Sequence, residues 1–153
     1  MSSSKKNLAP LSETLPGSWM LESRIDATAS GERRPEPMLG EDPVALLIYD
    51  RSGHFAAQFM KRDRSGMQTQ SASVANNNSR AVGGYDAYFG TYVVDDAART
   101  VTQRLMAALS PENVGAVLTR EANVTGDQLI IRLETNAPDG SRVTRTLTFR
   151  RVG

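Results

Sequence analysis

Apolar and polar residues alternate with period two over most of the chain, and no apolar stripe of period 3.6 is long enough for a substantial helix. Segment 17–26 reads as the first strand. Val44–Tyr49 and His54–Met60 flank Asp50-Arg51-Ser52-Gly53, a strand, turn and strand signal. A four-residue turn places Tyr49 opposite His54. The core face is then Val44, Leu46, Ile48, Phe55, Ala57 and Phe59, and the outer, mixed face is Ala45, Leu47, Tyr49, His54, Ala56, Gln58 and Met60. Segment 85–94 is the most aromatic. There Tyr88, Gly90, Tyr92 and Val94 share a face, with a gap over Gly90 between two rings. Past the Asp95-Asp96 turn, a strand over 100–109 aligns Val101, Gln103, Leu105, Ala107 and Leu109. Strands at 117–124, 128–135 and 142–152 complete the pattern, with inward sets Arg120/Ala122/Val124, Leu129/Ile131/Leu133 and Val143/Arg145/Leu147/Phe149.

About eight strands with regular turns and little helix predict an all-β fold, a single antiparallel up-and-down barrel whose interior can hold one small ligand. A rolled open sheet over a helix is the alternative. Residues 1–12 read as a flexible N-terminal segment, with Leu8, Pro10 and Leu11 able to lie across a barrel end, and 13–153 as the barrel domain. Segment 28–42, with Gly31, Pro35, Pro37 and Gly40, reads as a connecting loop, and the polar segment 61–84 as a lid or loop with a short helix near 71–75. Trp19, the lone tryptophan, follows Gly17 closely and is suited to plug one end of the barrel. Arg151, on the face of Val143 to Phe149, can stack on it if first and last strands are neighbours.

Composition narrows the chemistry. A formal net charge of +1 over 153 residues leaves no basic footprint for nucleic acid, and no apolar run reaches the roughly 20 residues that cross a bilayer. Neither nucleic acid nor membrane is expected as a partner. The start of the chain has no apolar signal core, which predicts a cytoplasmic protein, monomeric or homodimeric. There is no cysteine and one histidine, so no disulfide, thiol nucleophile or histidine-built zinc site is expected, and no metal or cofactor.

Several pieces resemble the lipocalin-like domain family of small bacterial and fungal proteins of calycin type. They are Gly17-Ser18-Trp19; Leu46 to Asp50 with Gly53; Gln58 to Arg64; Tyr88-Phe89-Gly90-Thr91-Tyr92; Val101-Thr102; the Pro111 to Gly115 corner; Arg120; Gly126-Asp127-Gln128-Leu129; and Arg151-Val152. The resemblance implies a ligand-holding barrel. This chain departs from the family in carrying Gln103 where a histidine is usual, Arg104 where a second often stands, and Phe149 in place of a tryptophan.

Candidate site residues follow from the inward faces. Tyr88 and Tyr92, two phenols flanking Gly90, are either ligand handles or wall residues. Arg120 on an apolar face requires a carboxylate, a ligand anion or a place at the rim. Tyr88, Tyr92 and Arg120 are the candidate catalytic set. Gln103, Tyr49, Phe55, Phe59, Phe89 and Leu105 are candidate ligand contacts, and Gly17, Trp19 and Arg151 are structural. His54 beside its turn reads as a surface histidine, and Glu121 and Glu134 as a solvated face. The chain is thus read as binding a small, largely apolar molecule. Alternatives are a cofactor-free isomerase, cyclase or lyase acting on a hydrophobic, secondary-metabolite-like substrate, and a filled scaffold with no ligand.

Overall fold

The alternating pattern closes into a barrel because the first and last strands pair. The computed structural model describes residues 9–65 and 81–153. Among them the strands are β1 (Gly17–Ala27), β2 (Arg33–Arg34), β3 (Val44–Tyr49), β4 (His54–Met60), β5 (Tyr85–Asp95), β6 (Thr100–Ala108), β7 (Val117–Thr125), β8 (Gln128–Asn136) and β9 (Arg142–Arg151). From β3 to β9 each pairs antiparallel with the next. β1 pairs with β3 on one side and β9 on the other, closing eight strands, and the two-residue β2 pairs with the end of β1. The all-β barrel expected from the sequence is the observed fold, and closure removes the exposed sheet edges.

One end of the barrel is sealed. A single helical turn, α1 (Leu11–Thr14), lays Leu11 and Leu15 into the core over Trp19, all three fully buried. The indole Nε1 donates to the Leu15 carbonyl at 2.9 Å, and the Arg151 guanidinium stacks 4.2 Å from the ring centroid while donating to the Pro16 carbonyl. Gly17 is required there. Its φ is +146°, and an added Cβ would lie 2.4 Å from Arg151 Nη1. Ordered structure therefore begins before residue 13, because Leu11 is buried and Ser12 hydrogen-bonds Asp96 at the β5–β6 turn. Leu8 lies outside the described residues.

Three local irregularities shift faces away from simple alternation. At the β3–β4 hairpin, Asp50 N–H donates to the His54 carbonyl while Asp50 Oδ1 accepts from the Ser52 and His54 amides. Gly53 takes φ +95°. This leaves a three-residue connection with a glycine bulge, so Tyr49 pairs with Phe55 rather than His54. The β3 faces are accordingly reversed: Ala45, Leu47 and Tyr49 point inward, and Val44 and Leu46 outward at 37% exposure, whereas Phe55, Ala57 and Phe59 are inward as expected. In β6 the register against β5 slips between Phe89 and Gly90, so Val101, Gln103 and Leu105 face in but Leu109 is exposed. In β1 a slip between Leu21 and Ser23 changes the inward parity, from Trp19 to Arg24 and Asp26.

The opposite end carries the long connections. Segment 28–43 folds across it, with the Arg24 amide donating to the Glu41 carbonyl and Leu39 buried against the core. The described flanks of the segment read as a lid, 61–65 and 81–84, lie at the same end. Its stretch 66–80, including the suggested helix, is outside the described residues, and its flanks are joined by Lys61 N–H to Gly84 O at 2.6 Å. Among the described residues no helix is long and apolar enough to cross a membrane.

Candidate functional site: a charged cavity inside the barrel

Beneath Leu39 the barrel encloses a cavity walled by Leu47, Tyr49, Phe59, Tyr88, Gln103, Ile131, Leu133, Leu147 and Phe149, with Arg24, Asp86, Arg120 and Arg145 among them. The space open to the centre of a water molecule is about 50 Å3. That is room for about four waters. A smaller hollow of about 20 Å3 toward the Pro111–Asn113 corner shares Asp86, Tyr88 and Arg120 with it.

The charges in this interior are organised by strand pairing. Asp26 on β1 stands directly opposite Arg145 on β9, and the two meet as a fork: Nε to Oδ1 at 2.8 Å and Nη2 to Oδ2 at 2.9 Å. Two residues earlier on β1, Arg24 donates to Glu36 Oε1 at 2.6 Å and to the Gly40 carbonyl. Glu36 accepts in turn from the amides of Met38 and Leu39, which fixes the cover in place. Both pairs are almost wholly buried, so their hydrogen bonds offset a large desolvation cost. Burial, with Arg145 close by, pulls the Arg24 guanidinium below its usual range. Burial does the same to Arg120, against the opposing influence of Tyr88 and Tyr49.

Asp86 differs from the other two carboxylates. It is 5% exposed, and one oxygen accepts from the Ala87 amide at 2.9 Å. Burial pushes its pKa up to about 6, against the opposing pull of that amide and of Arg24. Two residues on, burial and the Asp86 charge push the Tyr88 phenol up to about 12. Burial likewise raises Tyr49, whose hydroxyl accepts from Gln103 Nε2 at 3.2 Å. At neutral pH both phenols are therefore neutral hydrogen-bond donors.

The residues singled out from the sequence divide between this cavity and other places. Tyr88, Arg120, Gln103, Tyr49 and Phe59 converge on its wall. Phe55 packs behind it, 6.1 Å from Tyr49 and 6.0 Å from Tyr88 between centroids, and Leu105 lines the smaller hollow. Tyr92 does not join them. It lies toward the sealed end, edge-on to Tyr49 at 4.9 Å, with its hydroxyl donating to the Asp50 carbonyl at 2.5 Å. Phe89, expected as a ligand contact, is 52% exposed on the outer surface and lies outside the cavity wall, since inward residues on β5 have even numbers. His54 is exposed, its Nδ1 2.8 Å from Ser52 Oγ, and Glu121 and Glu134 are exposed partners of Arg132 and Arg142. Tyr92→Phe is expected to lower the unfolding free energy by about 1 kcal/mol through the lost turn contact, with ligand affinity unchanged. Urea unfolding and ligand titration of that variant check both halves.

Sequence reasoning missed Arg24, Asp26, Glu36 and Asp86. Two signals were present. Arg145, set between Val143 and Leu147 on an inward face, demands a buried carboxylate, and Asp86 shares the parity of Tyr88. Among the described residues no cluster of histidine, aspartate and glutamate side chains is arranged to hold a metal ion.

Comparison with known proteins points one way. Residues 16–152 match the family model described as a lipocalin-like domain. No curated protein matches the chain.

Proposed function

The chain belongs to the lipocalin-like domain family, and from that premise we propose that its barrel takes up one small, largely apolar organic molecule whose polar end meets Arg120, Tyr88 and Gln103. A lipocalin-like barrel points to small-molecule binding in general. The observation that carries the finer reading is the composition of the cavity wall. Apolar side chains from β3, β4, β8 and β9 surround the space, while a guanidinium, a neutral phenol and an amide meet on β5, β6 and β7. A filled scaffold fits less well, because so many polar groups facing a hollow cost desolvation that packing alone would not offset.

The same wall supports a second reading, a cofactor-free isomerase, cyclase or lyase. The observation in its favour is the placement of Asp86, a buried carboxylate that can take or give a proton, beside donors able to stabilise an oxyanion.

Native mass spectrometry of the protein as purified, set against the denatured mass, tests the binding reading, together with thermal shifts against a mixed panel of neutral and acidic hydrophobic compounds. A stoichiometric adduct, or a saturable shift abolished by the cavity-filling variant Leu133→Trp, is expected. A clean mass with no shift by any compound would sink it.

A further inference from the structure

We infer that the outer face of β3, β4 and β5 docks a second copy of this chain about a twofold axis, with Phe89 of each copy seated in a groove of the other. This surface lies outside the barrel and is independent of what the cavity binds.

The first support is where charge is missing. The outward positions of β3 and β4, and those of β5 from Tyr85 to Val93, hold no lysine, arginine, aspartate or glutamate. The outward positions of β7, β8 and β9 are the reverse, carrying Glu121, Arg132, Glu134, Arg142 and Arg150 in exposed ion pairs. A patch that meets its own image across a twofold axis sets every charge near an identical one, so self-association favours an uncharged face. A formal net charge of +1 leaves little repulsion between two whole copies.

The second support is shape. On this face a knob and a hollow stand side by side. Phe89 is 52% exposed, with Met106 at 56% beside it at the β5–β6 bulge. Toward β3, the side chains of Met20, Val44, Leu46, Gln58, Met60 and Tyr85 line a groove with about 190 Å3 open to the centre of a water molecule, more than the cavity inside the barrel. Its polar wall groups satisfy each other. The Tyr85 hydroxyl donates to Gln58 Oε1 at 2.6 Å, and the Arg64 guanidinium lies over the Tyr85 ring, 5.7 Å from its centroid. An apolar occupant therefore suits the groove, and it has room for a phenyl ring. Between knob and groove lie Ala56, which pairs with Phe89, and Ala87, which pairs with Gln58. Their small side chains let two sheets approach closely, and an axis passing near them carries each Phe89 onto the opposite groove.

The area is sufficient. β1 and β3 to β6 are neighbours in the sheet. At about 4.8 Å between strands and about seven residues of 3.4 Å along each, they make a face of roughly 19 by 24 Å. Two copies then cover on the order of 1,000 Å2 in total, where specific interfaces begin, so the dimer is a weak one.

Sedimentation velocity of the full chain from about 1 to 200 μM tests this. The 16.6 kDa chain is expected to pass from monomer to a species of twice that mass, with a dissociation constant of about 1 to 100 μM. Phe89→Asp and Leu46→Arg are each expected to weaken association at least about thirtyfold while keeping the fluorescence of buried Trp19. Mixed one to one, the two variants are expected to associate again, because one Phe89 still meets an intact groove and the introduced carboxylate meets the introduced guanidinium. Glu134→Ala, on the charged side, is expected to change nothing. A wild type that stays monomeric at 200 μM overturns the inference, as does a dimer that neither variant weakens or a mixture that does not recover. Flotation with phosphatidylcholine vesicles distinguishes the other occupant: a monomer that floats with them and is released by Phe89→Asp assigns the face to a membrane and rules out the second copy.

Discussion

Asp26→Ala is expected to lower the unfolding free energy by about 4 kcal/mol, because it leaves the Arg145 guanidinium buried opposite a missing carboxylate. The pair is only 1–2% exposed and joined by two parallel hydrogen bonds across the β1–β9 seam. That seam closes the barrel, so the loss is felt where the sheet would otherwise have two edges. Replacing both partners at once, Asp26→Leu with Arg145→Met, is expected to recover most of the loss, since a well-packed apolar pair pays no desolvation. Urea unfolding followed by the fluorescence of Trp19, buried at the sealed end, reports both. A loss below about 1 kcal/mol for the single variant would mean that water reaches Arg145 and that the interior is far wetter than its geometry implies.

The same seam separates what could be read from the sequence from what could not. β7, β8 and β9 run without a bulge, and there alternation put Arg120, Leu129, Ile131, Arg145 and Phe149 on their correct faces. The Trp19–Arg151 stack was legible too, because both residues lie at strand ends where only the neighbourhood of first and last strand had to be guessed. Alternation failed wherever one residue was inserted. The glycine bulge at Gly53 turned β3 over, taking Tyr49 from the outer face to the cavity wall, and the slip after Leu21 hid the inward Arg24 and Asp26. A period-two pattern carries no warning of such a shift, since one extra residue exchanges every face beyond it.

The site was half visible for a related reason. Tyr88, Gln103 and Arg120 sit on strands whose parity could be followed, and they meet in the cavity. The electrostatics could not be anticipated, because the partner of Arg24 comes from a connecting loop. Glu36 sits among prolines and glycines that read only as a turn-rich link, and nothing local shows that its carboxylate reaches back into the barrel. Phe89 was misplaced by chemistry rather than by pattern. A large ring invites an inward reading, but its parity on β5 is opposite to that of Tyr88.

Gly90 joins sequence, fold and site most directly, and Gly90→Ala is expected to cost about 3 kcal/mol, the upper part of the range for forcing atoms into a packed interior. The glycine reads in the sequence as a gap between two tyrosine rings, but backbone fills that place. A Cβ there would lie 1.8 Å from the Arg104 carbonyl oxygen and 2.9 Å from Arg104 C and Met106 N, none of which can swing aside. Gly90 is not one of the positive-φ glycines, so the requirement is closeness and not conformation. Relief is available only by moving β6 away or by slipping the bulge at Phe89/Gly90. A slip by one residue would turn Gln103 and Leu105 outward and bring Arg104 in, replacing a neutral donor on the cavity wall with a fourth guanidinium. The variant should therefore lose ligand affinity along with stability. Gly115→Ala is the control: its φ of +86° with open space around it predicts about 1 kcal/mol from backbone strain alone and no change in binding. If both variants unfold at the same urea concentration, the close approach of β6 to β5 does not constrain the fold, and the bulge is free to move.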